Sequence, residues 1–165
     1  MTTPRIIVMG VSGCGKSRIG AALATELGLR FLDGDSLHPT ANIAKMSRGA
    51  ALDDADRAPW LDAVGAALGR QADVVACSAL KRAYRDRIRA QAPGTVFVHL
   101  AGDRAVLARR VASRPGHFMP PALLDSQLKT LEPLQPDEAA IVVDLTQTPA
   151  QIVAEIVREG RFGTA

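Results

Sequence analysis

The chain has 165 residues, of which 47% are hydrophobic and 22% charged, so it is long enough to bury a core as one domain without disulfides or structural metals. Its net charge is only +3, and one Trp, one Tyr and four Phe offer few rings for base stacking, which argues against a nucleic-acid partner. The chain has no apolar run as long as a membrane span, no signal peptide, and only two cysteines, which lack metal-ligand spacing. We therefore expect a single domain over 1–165 that is cytoplasmic and has no membrane partner.

Runs of β-forming residues alternate with helical patterns along the whole chain. This alternation predicts an α/β fold in which a parallel sheet carries helices on both faces and binds ligands at the carboxyl ends of its strands. The predicted strands are Arg5–Met9, Arg30–Leu32, Val74–Cys77, Thr95–Leu100 and Ala140–Asp144. The predicted helices are Lys16–Leu27, Thr40–Ser47, Asp56–Gly69, Lys81–Gln91, Asp103–Ser113, Pro121–Leu131 and Pro149–Arg158. Suitable N-caps are Asp53 or Asp54 for the third helix, Asp103 for the fifth and Thr148 for the last.

Between the first strand and the first helix lies a complete G-x-x-x-x-G-K-S phosphate loop. Its strand–loop–helix context predicts that backbone N–H groups cradle the phosphates of a nucleoside triphosphate at a helix N-terminus. Lys16 is expected to reach the β- and γ-phosphates, and the Ser17 hydroxyl to join a Mg²⁺ shell. Cys14 occupies a variable position where a small residue suffices. The loop residues are Gly10, Val11, Ser12, Gly13, Cys14, Gly15, Lys16 and Ser17.

Two carboxylates, Asp33 and Asp35, follow the second strand on either side of Gly34. At the carboxyl end of that strand they would lie beside the phosphate loop. We predict that Asp33 holds Mg²⁺ through water, and that Asp35 binds an acceptor hydroxyl and serves as its general base. The alternative is an ordinary turn that uses Asp and Gly for their tolerance of left-handed geometry.

Further blocks follow the phosphate loop in a specific order. They read D-G-D-x-x-H-P from Asp33, D-R-x-P-W-L from Asp56, C-S-A-L-K-x-x-Y-R-D from Cys77 and G-H-F from Gly116. Together with the phosphate loop, and as far as Leu131, this arrangement resembles the gluconokinase family of small phosphate-loop kinases, which are related to shikimate and nucleoside monophosphate kinases.

The resemblance implies a three-layer P-loop kinase fold with a five-stranded parallel sheet and a mobile lid. The lid is expected at about 110–121 and a substrate-binding helical region at about 36–70. The implied reaction is the ATP- and Mg²⁺-dependent phosphorylation of D-gluconate to 6-phospho-D-gluconate, by a homodimer.

Gluconate has one carboxylate and several hydroxyls, so its site needs a cation and polar side chains. Arginine suits bidentate contact with a carboxylate, whereas lysine acts as a point charge. The sequence leaves open which cation takes the carboxylate. The candidate substrate-binding residues are Asp35, His38, Arg57, Lys81, Arg85, His117 and Gln127.

Arg110 and Arg114 match the arginines that related kinases bring over the phosphates with a lid. Such side chains would stabilise the charge that spreads over the transferred group, so we assign them to ATP binding and catalysis together with Lys16 and Asp35. By contrast, Trp60 is expected to pack in the core and His99 to be a sheet residue. The segment Thr146–Pro149 is expected to meet the adenine.

Two alternatives to gluconate phosphorylation stay open. One is a P-loop kinase for another sugar acid or a shikimate-like polyol. The other belongs to a different class, a nucleotide-dependent switch or binding module. The absence of an Asn-Lys-x-Asp motif for base recognition argues against a GTPase switch. The third predicted strand also lacks an acid at its end, which leaves the Mg²⁺ role with Ser17 and Asp33.

Overall fold

The computed structural model describes residues 3–113 and 121–162. Its strands are β1 (Ile6–Met9), β2 (Phe31–Asp33), β3 (Val74–Ala76), β4 (Val96–Ala101) and β5 (Ala140–Asp144). Its α-helices are α1 (Lys16–Leu27), α2 (Thr40–Ser47), α3 (Asp54–Ala67), α4 (Arg82–Gln91), α5 (Arg104–Ala112), α6 (Pro121–Thr130) and α7 (Pro149–Gly160). A short 3₁₀ helix at Gly34–Leu37 follows β2.

The strands form one parallel sheet in the order β2-β3-β1-β4-β5. In the register of the central strand, Ile7 lies between Val75 of β3 and Phe97 of β4. The chain visits one side of β1 first and the other side afterwards, so the direction of winding reverses there. A ligand crevice is expected at the carboxyl end of a strand at such a reversal, and the phosphate loop follows β1.

Helices cover both faces of the sheet. Successive side chains of β1 point to opposite faces, so each face presents apolar side chains that helices bury. Ile6 and Val8 belong to a buried cluster with residues of α1 and α7. Ile7 and Met9 belong to a second cluster with residues of α3 and α4. The three-layer arrangement predicted from the sequence is therefore confirmed.

The element order predicted from the sequence is confirmed, and most boundaries agree within one or two residues. The third helix begins at Asp54 rather than Asp56, because the Asp53 and Asp56 side chains form a reciprocal capping box. Thr148 and Gln151 form the same motif at the start of α7. Asp103 occupies the N-cap position of α5 without a side-chain capping hydrogen bond in the described structure.

Within residues 3–113 and 121–162, none of the helices combines the length and the apolar character that a membrane crossing needs. The lid predicted at about 110–121 lies mostly outside these residues. Arg114 and His117 are among the residues outside them.

Candidate active site

The phosphate loop wraps around the N-terminus of α1, with Lys16 as the first helical residue. Gly15 has a φ of 95°, and Gly13 has a φ of 85°, a backbone conformation that glycine adopts without strain. A Cβ atom on Gly13 would also lie 2.6 Å from Cγ2 of Val111. The first turn of α1 carries no acidic residue, so its N–H groups and positive dipole end are free to attract an anion.

Polar side chains tie the loop to its own backbone and to the end of β2. Lys16 Nζ donates to the carbonyl oxygen of Val11 at 3.2 Å, which keeps the ammonium group over the loop. The Ser17 hydroxyl donates to Asp33 Oδ2 at 2.7 Å, and the backbone N–H of Asp35 donates to Asp33 Oδ1 at 3.0 Å. Ser17 and Asp33 thus present adjacent oxygen atoms, the ligand type that Mg²⁺ prefers.

A cleft of about 920 Å³ opens at the carboxyl edge of the sheet. The phosphate loop lines it together with Asp33 and Asp35, and Arg57 lines it from α3. Arg110 lines it from α5, where Arg110 Nη2 donates to the carbonyl of Leu145 at 2.5 Å. One cleft therefore brings together the predicted phosphate and metal groups with three of the predicted acceptor residues, Asp35, Arg57 and Gln127. Among the described residues, the predicted acceptor residues His38, Lys81 and Arg85 are not part of its lining.

The segment predicted to bind adenine also reaches this cleft. Gln147 and Pro149 line it, and Ile152 on the first turns of α7 adds an apolar surface. The Gln147 side chain donates to the backbone carbonyl of Asp144, which fixes the segment after β5. This end of the cleft combines backbone groups and an apolar wall, as a planar base requires.

Trp60 fixes the 3₁₀ helix that carries Asp35. The Trp60 Nε1 group donates to the carbonyl of Gly34 at 2.8 Å, and the indole is 5% exposed. Gly34 is needed at this position because a Cβ atom there would lie 2.4 Å from the carbonyl oxygen of Ala76. Trp60 is thus a packing residue, as the sequence indicated.

His38 packs against this tryptophan. The two rings are stacked with centroids 4.2 Å apart, and Nδ1 of His38 lies 3.3 Å from the Asn42 side-chain nitrogen. Burial lowers the pKa of His38, so the ring is neutral near pH 7. His38 therefore packs behind the wall of the site in this structure. It is not among the described residues that line the cleft.

Arg57 and Lys81, the next two predicted substrate residues, lie around the ring of Tyr84. Their charged groups are 5.6 and 5.5 Å from its centroid. Tyr84 donates through its hydroxyl to Asp54 Oδ1 at 2.5 Å and accepts from Arg57 Nη1 at 3.3 Å. Lys81 Nζ lies 3.6 Å from Asp54 Oδ2. We call these four residues the Tyr84 cluster.

The structure does not bring Arg85 to the cleft. Its side chain is fully buried and forms two hydrogen bonds with Glu138, at 2.7 and 3.2 Å. Its remaining N–H groups donate to backbone carbonyls, including those of Ala79, Leu80 and Glu132. With its donors used in this way, Arg85 holds together the loops after β3 and α6 and has no N–H group free for a substrate.

Gln127 lines the cleft, but its amide binds the phosphate loop. Gln127 Oε1 accepts from the backbone N–H of Ser12 at 2.7 Å, and Gln127 Nε2 donates to the Ser12 hydroxyl at 3.0 Å. Gln127 thus joins α6 to the loop from a position in the cleft wall, and its contact with a sugar acid stays a prediction. Ser12 is a variable loop position, so the motif alone gave no sign of this partner.

Sequence reasoning did not single out Tyr84, although it lies within one of the motif blocks. The acidic group Asp53, Asp54 and Asp56 is interpreted from the sequence as helix capping, with the alternative that one of the three orients Arg57. The available signal was the spacing of Asp54 and Arg57, three residues apart on one helix, which places an acid next to a candidate substrate cation.

Comparisons with known proteins agree with this geometry. The family model for shikimate kinase matches residues 12–160. Among curated relatives, the gluconokinase of Gluconobacter oxydans is 46% identical, covering 93% of this chain and 89% of its own. The thermosensitive gluconokinase of Escherichia coli is 42% identical, covering 94% of this chain and 86% of its own.

Among solved structures, a gluconokinase from Sinorhizobium meliloti superposes with a TM-score of 0.84 at 46% identity, over 99% of this chain and 98% of its own. A shikimate kinase from Bacteroides thetaiotaomicron gives a TM-score of 0.70 at 16% identity, over 96% and 98% of the two chains. At that identity the second likeness concerns the fold alone.

Proposed function

This chain carries a shikimate kinase domain and belongs to the gluconokinase family, and we propose that it transfers the γ-phosphoryl group of ATP to D-gluconate, giving 6-phospho-D-gluconate. The observation that carries the proposal is one cleft with a phosphate loop on one wall and Arg57 on another. In the described part of the chain, Arg57 forms one side-chain hydrogen bond, to Tyr84. Asp35 lines the cleft as well, at the end of the strand that follows the loop. A nucleotide and a polyhydroxy carboxylate are the two ligands that these walls suit.

In the proposed mechanism, the phosphate loop positions the polyphosphate and stabilises its charge. Phosphoryl transfer proceeds through a loose transition state, so positioning and electrostatic stabilisation supply most of the catalysis. The N–H groups at the start of α1 and the Lys16 ammonium would meet the β- and γ-phosphates. Arg110 lies within 4 Å of a Cβ position on Gly15, so a modest movement brings its guanidinium to the same phosphates.

Ser17 and Asp33 fit a magnesium ion by their chemistry. They are hard oxygen donors, and Mg²⁺ commonly takes one or two protein ligands together with waters and phosphate oxygens. When bound, the ion would neutralise charge on the phosphates. Asp33 also accepts from the N–H of Asp35, so the residue we assign to the metal orients the residue we assign to the acceptor.

Asp35 is proposed to bind the acceptor hydroxyl and to take its proton. Its backbone is held by Asp33 and by the 3₁₀ helix, while its side chain lines the cleft. A loose transition state needs little proton removal at an early stage, so positioning of the hydroxyl is the larger part of this role. Arg57 and Lys81 are proposed to bind the carboxylate at the other end of the acceptor.

A coupled assay for ADP release tests the proposal. The purified protein is given MgATP and, in separate reactions, D-gluconate, shikimate, D-glucose or no acceptor. ADP production that depends on gluconate is expected, with little turnover of glucose because a cation that binds a carboxylate would stay unpaired. Comparable kcat/KM for shikimate would favour the alternative acceptor, and acceptor-independent hydrolysis would favour a switch or binding module.

Lys16→Ala is the matched variant for the nucleotide half of the site. It should abolish gluconate-dependent ADP production in a folded protein, whereas Lys129→Ala on an exposed part of α6 should behave as wild type. If Lys16→Ala kept more than about a tenth of wild-type kcat, corresponding to a loss below about 1.4 kcal/mol, the phosphate-loop assignment would be wrong.

We also propose an oligomeric state and a location for the protein. A homodimer is proposed from the likeness to the gluconokinase family, and a cytoplasmic location is proposed because the reaction consumes ATP. Size-exclusion chromatography with light scattering on the full chain gives the mass in solution. A monomer at assay concentration would contradict the proposed dimer without affecting the proposed reaction.

A further inference from the structure

The Tyr84 cluster gives Arg57 and Lys81 a shared acidic partner. Asp54 Oδ1 accepts the Tyr84 hydroxyl at 2.5 Å and lies 3.9 Å from Arg57 Nη1. Asp54 Oδ2 lies 3.6 Å from Lys81 Nζ. Two cations over one aromatic ring repel each other, and a carboxylate between them offsets that repulsion.

The charge states of the cluster follow from these contacts. The Tyr84 hydrogen bond, together with Lys81 and Arg57, lowers the pKa of Asp54, so the carboxylate is ionised at neutral pH. Burial and the hydrogen bond to Asp54 raise the pKa of Tyr84, so its hydroxyl stays a neutral donor. Two positive groups and one negative group leave one net positive charge, which a single acceptor carboxylate would balance.

Arg57 is held at one end of its guanidinium and open at the other. Nη1 donates to the Tyr84 hydroxyl at 3.3 Å. In the described part of the chain, Nε and Nη2 of Arg57 have no hydrogen-bond acceptor, and the side chain is 33% exposed. The guanidinium is thus ordered by the cluster while it keeps N–H groups for a carboxylate.

We propose that Tyr84 and Asp54 are positioning residues for acceptor recognition, which hold Arg57 and Lys81 in the arrangement that binds the acceptor carboxylate. This proposal rests on the proposed function. Ordering a long flexible side chain costs binding free energy, and a partner that orders it beforehand removes that cost. Asp54 is too exposed for its field to dominate, so its loss should weaken acceptor binding through disorder of the cations more than it strengthens it through charge.

Tyr84→Phe provides the sharpest test because it removes one hydroxyl and changes no charge. The KM for gluconate should rise about 3- to 10-fold, while the KM for ATP stays at the wild-type value. Inhibition by D-glucitol, a neutral polyol that lacks the carboxylate, should not change. The ratio of the glucitol inhibition constant to the gluconate KM therefore measures the ordering of the cations.

Asp54→Asn should raise the gluconate KM at least as much as Tyr84→Phe, and Asp54→Glu should recover part of the loss. Asp62→Asn is the matched control, since Asp62 lies on the same helix and pairs with Arg87 at the surface. That variant should show wild-type constants for both substrates.

Three results would overturn the proposal. The first is an unchanged gluconate KM in Tyr84→Phe. The second is a lower KM in Asp54→Asn, because that would mean that Asp54 only repels the acceptor. The third is a fall in kcat for both variants with an unchanged glucitol-to-gluconate ratio, which a merely structural role would produce. Failure of the proposed function is seen separately and first, as absence of gluconate-dependent turnover in the wild type, and it would remove this proposal as well.

Discussion

Two polar clusters lie on different sides of α4, and two adjacent residues of that helix, Tyr84 and Arg85, belong to them. Tyr84 faces the cleft and organises Arg57, whereas Arg85 faces inward and pairs with Glu138. Neighbouring residues of a helix point about 100° apart, so one step along the chain leads from the site to the core. Both clusters join arginine to a carboxylate, and the sequence gives them the same chemical appearance.

The two clusters differ in how many N–H groups of the arginine have a hydrogen-bond acceptor. The buried arginine, Arg85, uses its N–H groups on Glu138 and on backbone carbonyls, and both side chains are 0% exposed. The cleft arginine, Arg57, has one N–H hydrogen bond to Tyr84, and its acidic neighbour Asp54 is 68% exposed. An arginine whose N–H groups all have acceptors within the protein stabilises the fold, whereas an arginine with N–H groups left over can bind a ligand.

Breaking the buried pair should produce the largest loss of stability. Arg85→Met leaves the Glu138 carboxylate in the core with Arg89 Nη2 at 2.9 Å and the backbone N–H of Gln135 at 2.8 Å as its remaining close partners. Removing one member of a buried ion pair costs about 3–5 kcal/mol, which urea unfolding of the variant would measure. The gluconate KM of the protein that remains folded should match the wild type.

Arg85→Lys is the companion variant if Arg85→Met does not fold, because it keeps the charge and loses the planar set of donors. An intermediate loss of stability is expected. A gluconate KM that rises in either variant without loss of stability would mean that Arg85 belongs to the acceptor site, and the comparison would fail.

Features that depend on nearby residues could be predicted from the sequence. The phosphate loop is a contiguous motif between a buried strand and a helix, and the Thr148 cap lies directly before its proline. The strand and helix order followed from hydrophobic periodicity and is confirmed. The fold resemblance carried by the D-G-D and C-S-A-L-K blocks is confirmed by the relatives as well.

The facing of single side chains depends on distant segments and could not be predicted. Arg85 is buried because the segment that carries Glu138, 53 residues later, folds over it. Gln127 binds the loop because α6 places it 115 residues away from Ser12 along the chain. Local patterns contain no record of such pairings, so these two residues were assigned to the substrate by their chemistry alone.

Removing the charge of Arg57 from the Tyr84 cluster should lower activity and change stability little. Arg57→Gln removes the charge from the cleft but leaves Tyr84 paired with Asp54. A hydrogen bond to a charged group is worth about 1.5–3 kcal/mol, so kcat/KM for gluconate should fall roughly 10- to 100-fold. Steady-state kinetics at saturating ATP and a urea titration of the same sample measure both effects.

Arg57→Lys refines this result. Lysine keeps the charge without the planar pair of donors, so an intermediate kcat/KM is expected. If Arg57→Gln instead unfolded at much lower urea with normal kinetics, the cleft cluster would be structural in the same way as the buried one.

The smallest effect is expected at a third arginine–carboxylate pair, which joins the same two helices at the surface. Arg87 on α4 donates to both oxygens of Asp62 on α3, at 2.8 and 2.9 Å. This geometry is as good as that of Arg85 and Glu138, but the two side chains are 49% and 37% exposed. Water and salt screen such a pair, and its loss leaves no buried charge behind. Arg87→Gln should therefore change neither the urea midpoint nor either KM measurably, and any small effect should vanish in high salt. A loss of stability as large as that of Arg85→Met would mean that bidentate geometry, rather than burial and the number of hydrogen-bonded N–H groups, decides how much an arginine–carboxylate pair stabilises this protein.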